Sequence, residues 1–386
     1  MKKNQRQLYC IIAAALLCLL VVCGIGLARR KQPTVTLNVS LYKLVPDYEH
    51  FKQTVSERWK EIHPEVELYF SNWDCYSGAV PDDLDVFVLD TINLDTFAGK
   101  GYLLALSEED VEDYSDLIPA FMDGCRVNGD LYAVPQLLCT DLLYTRKEDA
   151  DLKDVDNIFE LYKALEEGEL LFEKPDNFSK TTLYMQALTD AKQQYLAQYP
   201  AIKAGRLSAK AVQSLEALSK MHQADPGGGG DGIPYYCAGK FAQGAGRAYI
   251  GFSEAMHAMG DGAAEMEFRL FSMTDDQNIA VFYADAAAIN AKISEEKAAY
   301  ALDLLNLLTD KDTLLRASVN NGEPQYLLLP RYGVYDALAA DYPIYRTLKS
   351  IVTVPDAYVF RVKPDGYSYI KEALKNADVL PALAKP

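Results

Sequence analysis

Histidine is scarce in this chain: of 386 residues only His50, His63, His222 and His257 carry an imidazole. A Cys–His catalytic pair therefore has few places to come from, and of the four only His257 falls near a segment expected to line a cleft. No Cys-x-x-C pair occurs, which excludes the usual spacing for a zinc ribbon or a dithiol redox centre. The one glycine-rich run, Asp225-Pro-Gly-Gly-Gly-Gly-Asp-Gly-Ile-Pro234, lacks the Lys-Ser/Thr ending that would cradle a phosphate, and Gly244-Ala-Gly246 is too short for a dinucleotide fingerprint. Basic residues are outnumbered, 38 against 55 acidic, and the formal net charge of -17 repels nucleic acid while favouring approach of a cationic small molecule. No internal repeat is evident.

What is present is enough apolar material, 49% of residues, to bury a large core, and at this length two lobes are expected rather than one unit. Lys2, Lys3 and Arg6 precede an apolar run from about Leu8 to Leu27, the order of a secretory signal. Gly26 and Ala28 are small residues suited to cleavage after Ala28. The run is also nearly long enough to span a bilayer, so the alternative is a retained anchor with the protein at the outer face of the membrane. Val22 is too bulky for a lipoprotein site at Cys23. Removal of the segment takes away Cys10, Cys18 and Cys23 and leaves Cys75, Cys125, Cys139 and Cys237. In an oxidising compartment four thiols allow three pairings. A domain of this size needs no such staples, and Cys139 is expected to be free, with the state of the other three left open.

Strand and helix alternate along the first third of the chain. Thr34 to Tyr42 alternates as a strand, Pro46-Asp47 opens a helix with Phe51, Val55, Trp59 and Ile62 at helical spacing, and Val66 to Phe70 is the next strand. Asp85 to Asp90 is apolar through its centre, as strands covered on both faces of a parallel sheet are. In such α/β sheets ligands sit beyond the carboxyl ends of the strands, which makes Tyr42 and Asp90 cleft candidates. The stretch Ala133 to Lys147 reads as one buried strand with Cys139 at its middle. Helical patterning follows over Asn157–Gly168, Lys180–Leu196 and Ala201–Gln223. Ile279 to Asn290 reads as a second crossing strand and precedes a helix over about Ser294–Thr309.

Cysteine in an apolar strand is most often structural, because it packs as a small hydrophobe. It becomes a nucleophile when a base favours the thiolate. The base the sequence offers is Glu254 in Ile250-Gly-Phe-Ser-Glu-Ala-Met-His-Ala-Met-Gly260, read as strand, Ser253 cap and short helix. A helix N-terminus lowers the pKa of such a carboxylate, so base chemistry near neutral pH requires desolvation to raise it again. Tyr283 and Asp285, two apart on one strand, point the same way and would offer a ring and a carboxylate to a flat cationic heterocycle. Tyr76 beside Asp74, and Tyr235, are further aromatic candidates.

These residues and their surroundings resemble the thiaminase I (thiamine pyridinylase) family, a group of exported enzymes with the two-lobed type II periplasmic-binding-protein fold. The resemblance runs from about Thr34 to the C-terminus through Pro81-Asp-Asp-Leu-Asp-Val-Phe-Val-Leu-Asp90, Pro135-Gln-Leu-Leu-Cys-Thr140, Val155-Asp-Asn-Ile-Phe-Glu-Leu-Tyr162, Phe241-Ala-Gln-Gly-Ala-Gly-Arg247, Gly251-Phe-Ser-Glu254 and Phe282-Tyr-Ala-Asp285. It implies an α/β fold with the active site between the lobes: 33–136 with 283–330 as the first lobe, 137–282 with 331–386 as the second, and 1–32 as signal peptide or anchor. It also implies Cys139 as nucleophile and Glu254 as general base, with Tyr42, Tyr76, Asp90, Tyr235, Tyr283 and Asp285 contacting substrate. Leu44 and Phe252 stand where the family has tyrosines. The implied reaction is displacement of the thiazole of thiamine by an organic base or a thiol, without metal or organic cofactor, by a monomer that uses no nucleic-acid partner. The competing readings are a non-catalytic solute receptor for thiamine or a related cationic amine and, more distantly, a cysteine peptidase; fold alone does not separate them.

Overall fold

The computed structural model describes residues 35–173, 177–190, 194–223, 235–275 and 280–377. The N-terminal apolar segment and the 225–234 glycine run lie outside the described residues. Two principal sheets are built, in chain order, from β1 (Val35–Ser40), β2 (Val66–Phe70), β3 (Val86–Asp90), β4 (Val134–Cys139), β5 (Leu142–Arg146), β6 (Leu170–Phe172), β7 (Ala248–Gly251), β8 (Met266–Leu270), β9 (Val281–Ile289) and β10 (Tyr358–Val359).

In the larger sheet β1 lies between β2 and β3, parallel to both, as the apolar runs imply. The nine-residue β9 pairs antiparallel with β3 and with β4, and parallel with β10 at its start. The smaller sheet has the order β8-β5-β7-β6, with only the β6–β7 pair parallel. The expected single strand from Ala133 to Lys147 is therefore two. The chain leaves the larger sheet at Cys139, turns through Thr140 and Asp141, and enters the smaller sheet at Leu142. Two apolar stretches separated by a short polar pair can be one strand or two; here Thr140 marks the change of sheet, its hydroxyl donating to the Val281 carbonyl at 2.7 Å. Sheet membership also cuts across the expected lobe boundary at 136, since β4 stays in the larger sheet as far as Cys139, and β10 joins β9 from within 331–386.

The helix after β1 spans Tyr48–Ile62, with the Asp47 side chain accepting from the His50 amide at its start. Phe51, Val55 and Trp59 are buried on the sheet, each side chain contributing about 1.5–3 kcal/mol relative to exposure. Ile62, expected in the same stripe, is the last helical residue and is half exposed, because the helix ends there. A second apolar core gathers the helices Ile158–Ala164, Asn177–Asp190 and Ala209–Met221 around the smaller sheet. Asn157 caps the first of these, accepting from the Phe159 and Glu160 amides.

Candidate active site

Strand register brings the expected residues to one face of the larger sheet. Tyr283 lies opposite Cys139, and Asp285 lies opposite Leu137 on one side and Asp90 on the other. Directly opposed residues of an antiparallel pair share a face, as do residues two apart on a strand, so Cys139, Tyr283, Asp285 and Asp90 all project to the same side. Because β4 ends at Cys139, that face lies at the junction between the sheets.

The thiol and its expected base meet across that junction. Cys139 Sγ lies 3.7 Å from Glu254 Oε1, a contact between residues 115 apart in sequence. The same oxygen accepts from the Tyr235 hydroxyl at 3.0 Å, and Oε2 accepts from Ser253 Oγ at 3.3 Å. Ser253 is thus not the helix cap that its sequence position suggests. The helix begins after Glu254, spans Ala255–Met259, and leaves the buried Ser253 hydroxyl to hold the carboxylate. Burial raises the Glu254 pKa, opposed by hydrogen bonds from its own backbone amide, Tyr235, Ser253 and Cys139. This is the desolvation that a base near neutral pH requires. The Cys139 thiol is itself pushed well above its ordinary range, first by burial and then by the negative charges of Glu254, Asp285 and Asp90. Cys139 thus rests as a thiol, with the Glu254 carboxyl as its hydrogen-bond partner.

A second carboxylate pair stands on the same face. Asp90 accepts from the Tyr76 hydroxyl at 2.7 Å and from the Ile92 amide at 2.9 Å, two bonds that favour its anion against the burial that raises its pKa. Asp285 lacks that support, and burial together with the charges of Asp90 and Glu254 drives its pKa well above the ordinary carboxylate range. Of the two, Asp285 is the one driven further toward its neutral form. Tyr42 lies two residues beyond β1, and its pKa is raised first by burial and then by the charges of Asp285, Tyr76, Cys139 and Asp90. Tyr76 is exposed along its ring while its hydroxyl turns inward to Asp90. Leu44 is 65% exposed, and the Phe252 ring stands 6.2 Å from that of Tyr283.

His257 is exposed on the short helix, while His50, His63 and His222 bond to the Arg316 carbonyl, to Asp303 and Glu65, and stack on Phe172, respectively. No imidazole thus takes the place a cysteine peptidase needs. Cys75 and Cys125 are buried free thiols; Cys75 Sγ accepts from the Asp90 amide at 3.4 Å, beneath the site.

Several supporting residues have no signature in the sequence. Tyr235 adopts a left-handed conformation, φ 52° and ψ 36°, unusual for an aromatic residue. The helix that follows, Tyr236–Ala242, is anchored by Glu173, whose Oε1 accepts from the Ala238 amide and from the Tyr249 hydroxyl, both at 3.2 Å. The Tyr249 ring crosses over Gly251 to reach Glu173, and a Cβ at Gly251 would fall 2.2 Å from its hydroxyl oxygen. Gly251→Ala is expected to displace Tyr249 and lower stability by about 1–3 kcal/mol, read as a shift in the urea midpoint.

Thiaminase-1 of Paenibacillus thiaminolyticus is 37% identical over 380 residues, covering 94% of this chain and 92% of its own. The chain belongs to the thiaminase I family. A family model for the thiaminase-1 domain matches residues 140–274, the segment that holds Glu254. The structure of Clostridium botulinum thiaminase I in complex with thiamin is similar with a TM-score of 0.82 and 36% identity over 88% of this chain and 98% of that one. Maltose-bound MalE3 of T. maritima is similar in fold alone, with a TM-score of 0.64 and 18% identity over 89% of this chain and 100% of that one. The thiaminase I fold of this chain is thus the two-lobed type II periplasmic-binding-protein class. Among the described residues no helix is long and apolar enough to cross a membrane.

Proposed function

We propose that the protein cleaves thiamine by transferring its pyrimidinylmethyl group from the thiazole to an organic base or a thiol, through a covalent adduct on Cys139. The observation that carries this reading is the 3.7 Å contact of the partly buried Cys139 thiol with the Glu254 carboxyl, on the sheet face shared with Asp285 and Asp90. A solute receptor has no use for a thiol and a base so placed. Asp285, in its neutral form, protonates the pyrimidine ring nitrogen and makes the ring electrophilic. Cys139 Sγ then bonds to the ring carbon beside nitrogen as its proton passes to Glu254. The electron pair of the adduct expels the thiazole, which leaves with the methylene–nitrogen bonding pair and is neutral. The co-substrate adds to the exposed methylene carbon, and Cys139 departs, regaining a proton from Glu254 while the ring nitrogen returns its proton to Asp285. A nucleophile that brings an N–H or S–H gives that proton to the same carboxylate, and the surplus proton leaves to solvent.

On this reading Tyr42, Tyr76, Tyr235 and Tyr283 enclose the heterocycles, the chain acts as a monomer without cofactor, and residues 1–32 direct export, either cleaved or kept as an anchor. The lobes divide near 136, 282 and 330. Leu44 and Phe252 shift the choice of co-substrate relative to family members with tyrosine there. The test is incubation of the exported portion with thiamine and pyridine, following free hydroxyethyl-methylthiazole and the pyridine-exchanged product by mass-resolved chromatography. Release of thiazole with matching exchange product supports the transferase, whereas tight binding without release makes the chain a receptor.

The leading influences on the Asp90, Glu254 and Asp285 carboxyls are burial, hydrogen bonds and neighbouring carboxylates, with no lysine or arginine among them. The site is a concentration of negative charge in an acidic protein, and thiamine is a cation. Raising ionic strength from about 0.02 to 0.5 M is expected to raise KM for thiamine about 3- to 10-fold, since screening shortens the reach of that field. KM for neutral pyridine should stay within about two-fold under the same change. An equal change for both substrates would refute electrostatic attraction as the cause.

A further inference from the structure

Glu173 follows the last residue of β6 and is half-buried, and no step of the proposed reaction uses it. Its two carboxyl oxygens reach the start of the helix Tyr236–Ala242: Oε2 accepts from the Cys237 amide at 3.4 Å and Oε1 from the Ala238 amide at 3.2 Å. Oε1 also accepts from the Tyr249 hydroxyl at 3.2 Å, which ties the carboxyl to β7. The other end of the helix is held by Arg146, the last residue of β5. Its guanidinium donates to the Phe241 carbonyl at 2.8 Å and to the Gly246 carbonyl at 2.7 Å, and lies 4.6 Å from the centre of the Phe241 ring. A short helix fixed at both ends to one sheet cannot shift without breaking one of those clamps.

The start of that helix places Tyr235. The Tyr235 carbonyl accepts from the Gly239 amide at 3.2 Å, and its φ of 52° is a left-handed conformation that a bulky residue holds only where its surroundings impose it. From there its hydroxyl donates to Glu254 Oε1 at 3.0 Å, the oxygen that faces Cys139 Sγ at 3.7 Å. A donor aimed at a carboxylate favours the charged form, and at Glu254 this bond acts against the burial that raises the pKa. Hydrogen bonds weaken steeply with length and angle, so a displacement of the helix start by about 1 Å is enough to lose it.

We propose that Glu173 is a positioning residue for the base: by fixing the Cys237 and Ala238 amides it aims the Tyr235 hydroxyl at Glu254 Oε1 and thereby holds that carboxyl ready to take the Cys139 proton. The last clause rests on the thiaminase reading of the site, and the aim of Tyr235 does not. The direction of the effect separates aim from charge. Losing the Tyr235 bond raises the Glu254 pKa, whereas losing a negative charge nearby would lower it.

The test compares wild type with Glu173→Met, Tyr235→Phe and the double variant by infrared titration of the Glu254 carboxyl, its band identified by loss in Glu254→Gln. Tyr235→Phe deletes the donor and is expected to move the midpoint up by about 0.5–1 pH unit. Glu173→Met keeps the length of the side chain and removes both acceptors, and is expected to move it up by about the same amount. On the Tyr235→Phe background, where no hydroxyl remains to aim, Glu173→Met is expected to add less than about 0.2 unit. The acid limb of kcat/KM for thiamine should follow the same order, because the base works only when ionised. A role in stability alone would lower the urea midpoint and leave the Glu254 titration of the folded protein in place. That result, a downward shift, or shifts that add in the double variant would overturn the proposal. Glu173→Gln keeps the acceptor for Ala238 and Tyr249 and sets a donor against the Cys237 amide. It carries the same comparison, with an upward shift of at least about 0.3 unit, if Glu173→Met fails to fold. A wild type that releases no thiazole refutes the transferase reading while the infrared comparison still decides the role of Glu173. A wild type that cleaves thiamine beside an unmoved Glu254 midpoint in Glu173→Met refutes the positioning role alone.

Discussion

Cys139→Ala is expected to abolish thiazole release, with kcat reduced at least about 1,000-fold, or about 4 kcal/mol of transition-state stabilisation, while thiamine Kd changes by less than about three-fold. The asymmetry follows from position. Cys139 is the last residue of β4, opposite Tyr283, and its removal deletes one small, partly buried group from a face otherwise built by Asp90, Asp285 and the tyrosines. Binding groups remain, and the atom that forms the covalent adduct does not. Cys139→Ser separates nucleophilicity from volume, because a serine hydroxyl beside Glu254 keeps the hydrogen bond but is a far poorer nucleophile. Intact-mass spectrometry of the wild type mixed rapidly with thiamine, in the absence of co-substrate, should show the pyrimidinylmethyl adduct. Undiminished turnover in Cys139→Ala would remove the covalent mechanism altogether.

The second large effect is expected at Glu254. Glutamine keeps the acceptor oxygen for the Tyr235 hydroxyl and the overall shape, so Glu254→Gln tests proton transfer with little structural loss. A positioned general base contributes about 100- to 10,000-fold, and a fall of that order in kcat is expected. The pH profile supplies a sharper reading. The base must be ionised to take the thiol proton, and burial raises its pKa above the ordinary 4.5. Activity therefore falls as pH drops through the raised pKa, so the acid limb of kcat/KM in the wild type lies above pH 4.5 and is absent from the residual rate of Glu254→Gln. An unchanged acid limb in the variant would assign it to another group, with Asp285 the first to examine.

Much of this was legible in one dimension. The alternation from Val35 to Asp90 follows from side chains that must be buried on sheet faces or helix stripes, and period and apolar content carry that information locally. Tyr283 and Asp285 could be placed on one face because a strand repeats every two residues. The family motifs flanking Cys139 and Glu254 named the pair that the fold brings to 3.7 Å. Three local details misled for one reason, that the same local pattern is compatible with several endings: the two apolar stretches on either side of Thr140–Asp141 read as one strand, Ile62 fell at the exposed end of its helix, and Ser253 resembled a cap but bonds its neighbour's carboxylate.

What the sequence determined by itself was the inventory: an acidic two-lobed α/β chain, one thiol in an apolar strand, one carboxylate after a glycine, and tyrosines at strand ends. The tertiary structure alone decided how those groups are charged and aimed. Which aspartate is driven further toward its neutral form depends on Tyr76 and the Ile92 amide reaching Asp90 rather than Asp285, and the pairing of Cys139 with Glu254 depends on two segments 115 residues apart meeting where the sheets join. These are through-space relations between residues distant in the chain, and desolvation and hydrogen-bond polarity exist only once folding has excluded water and brought the partners together.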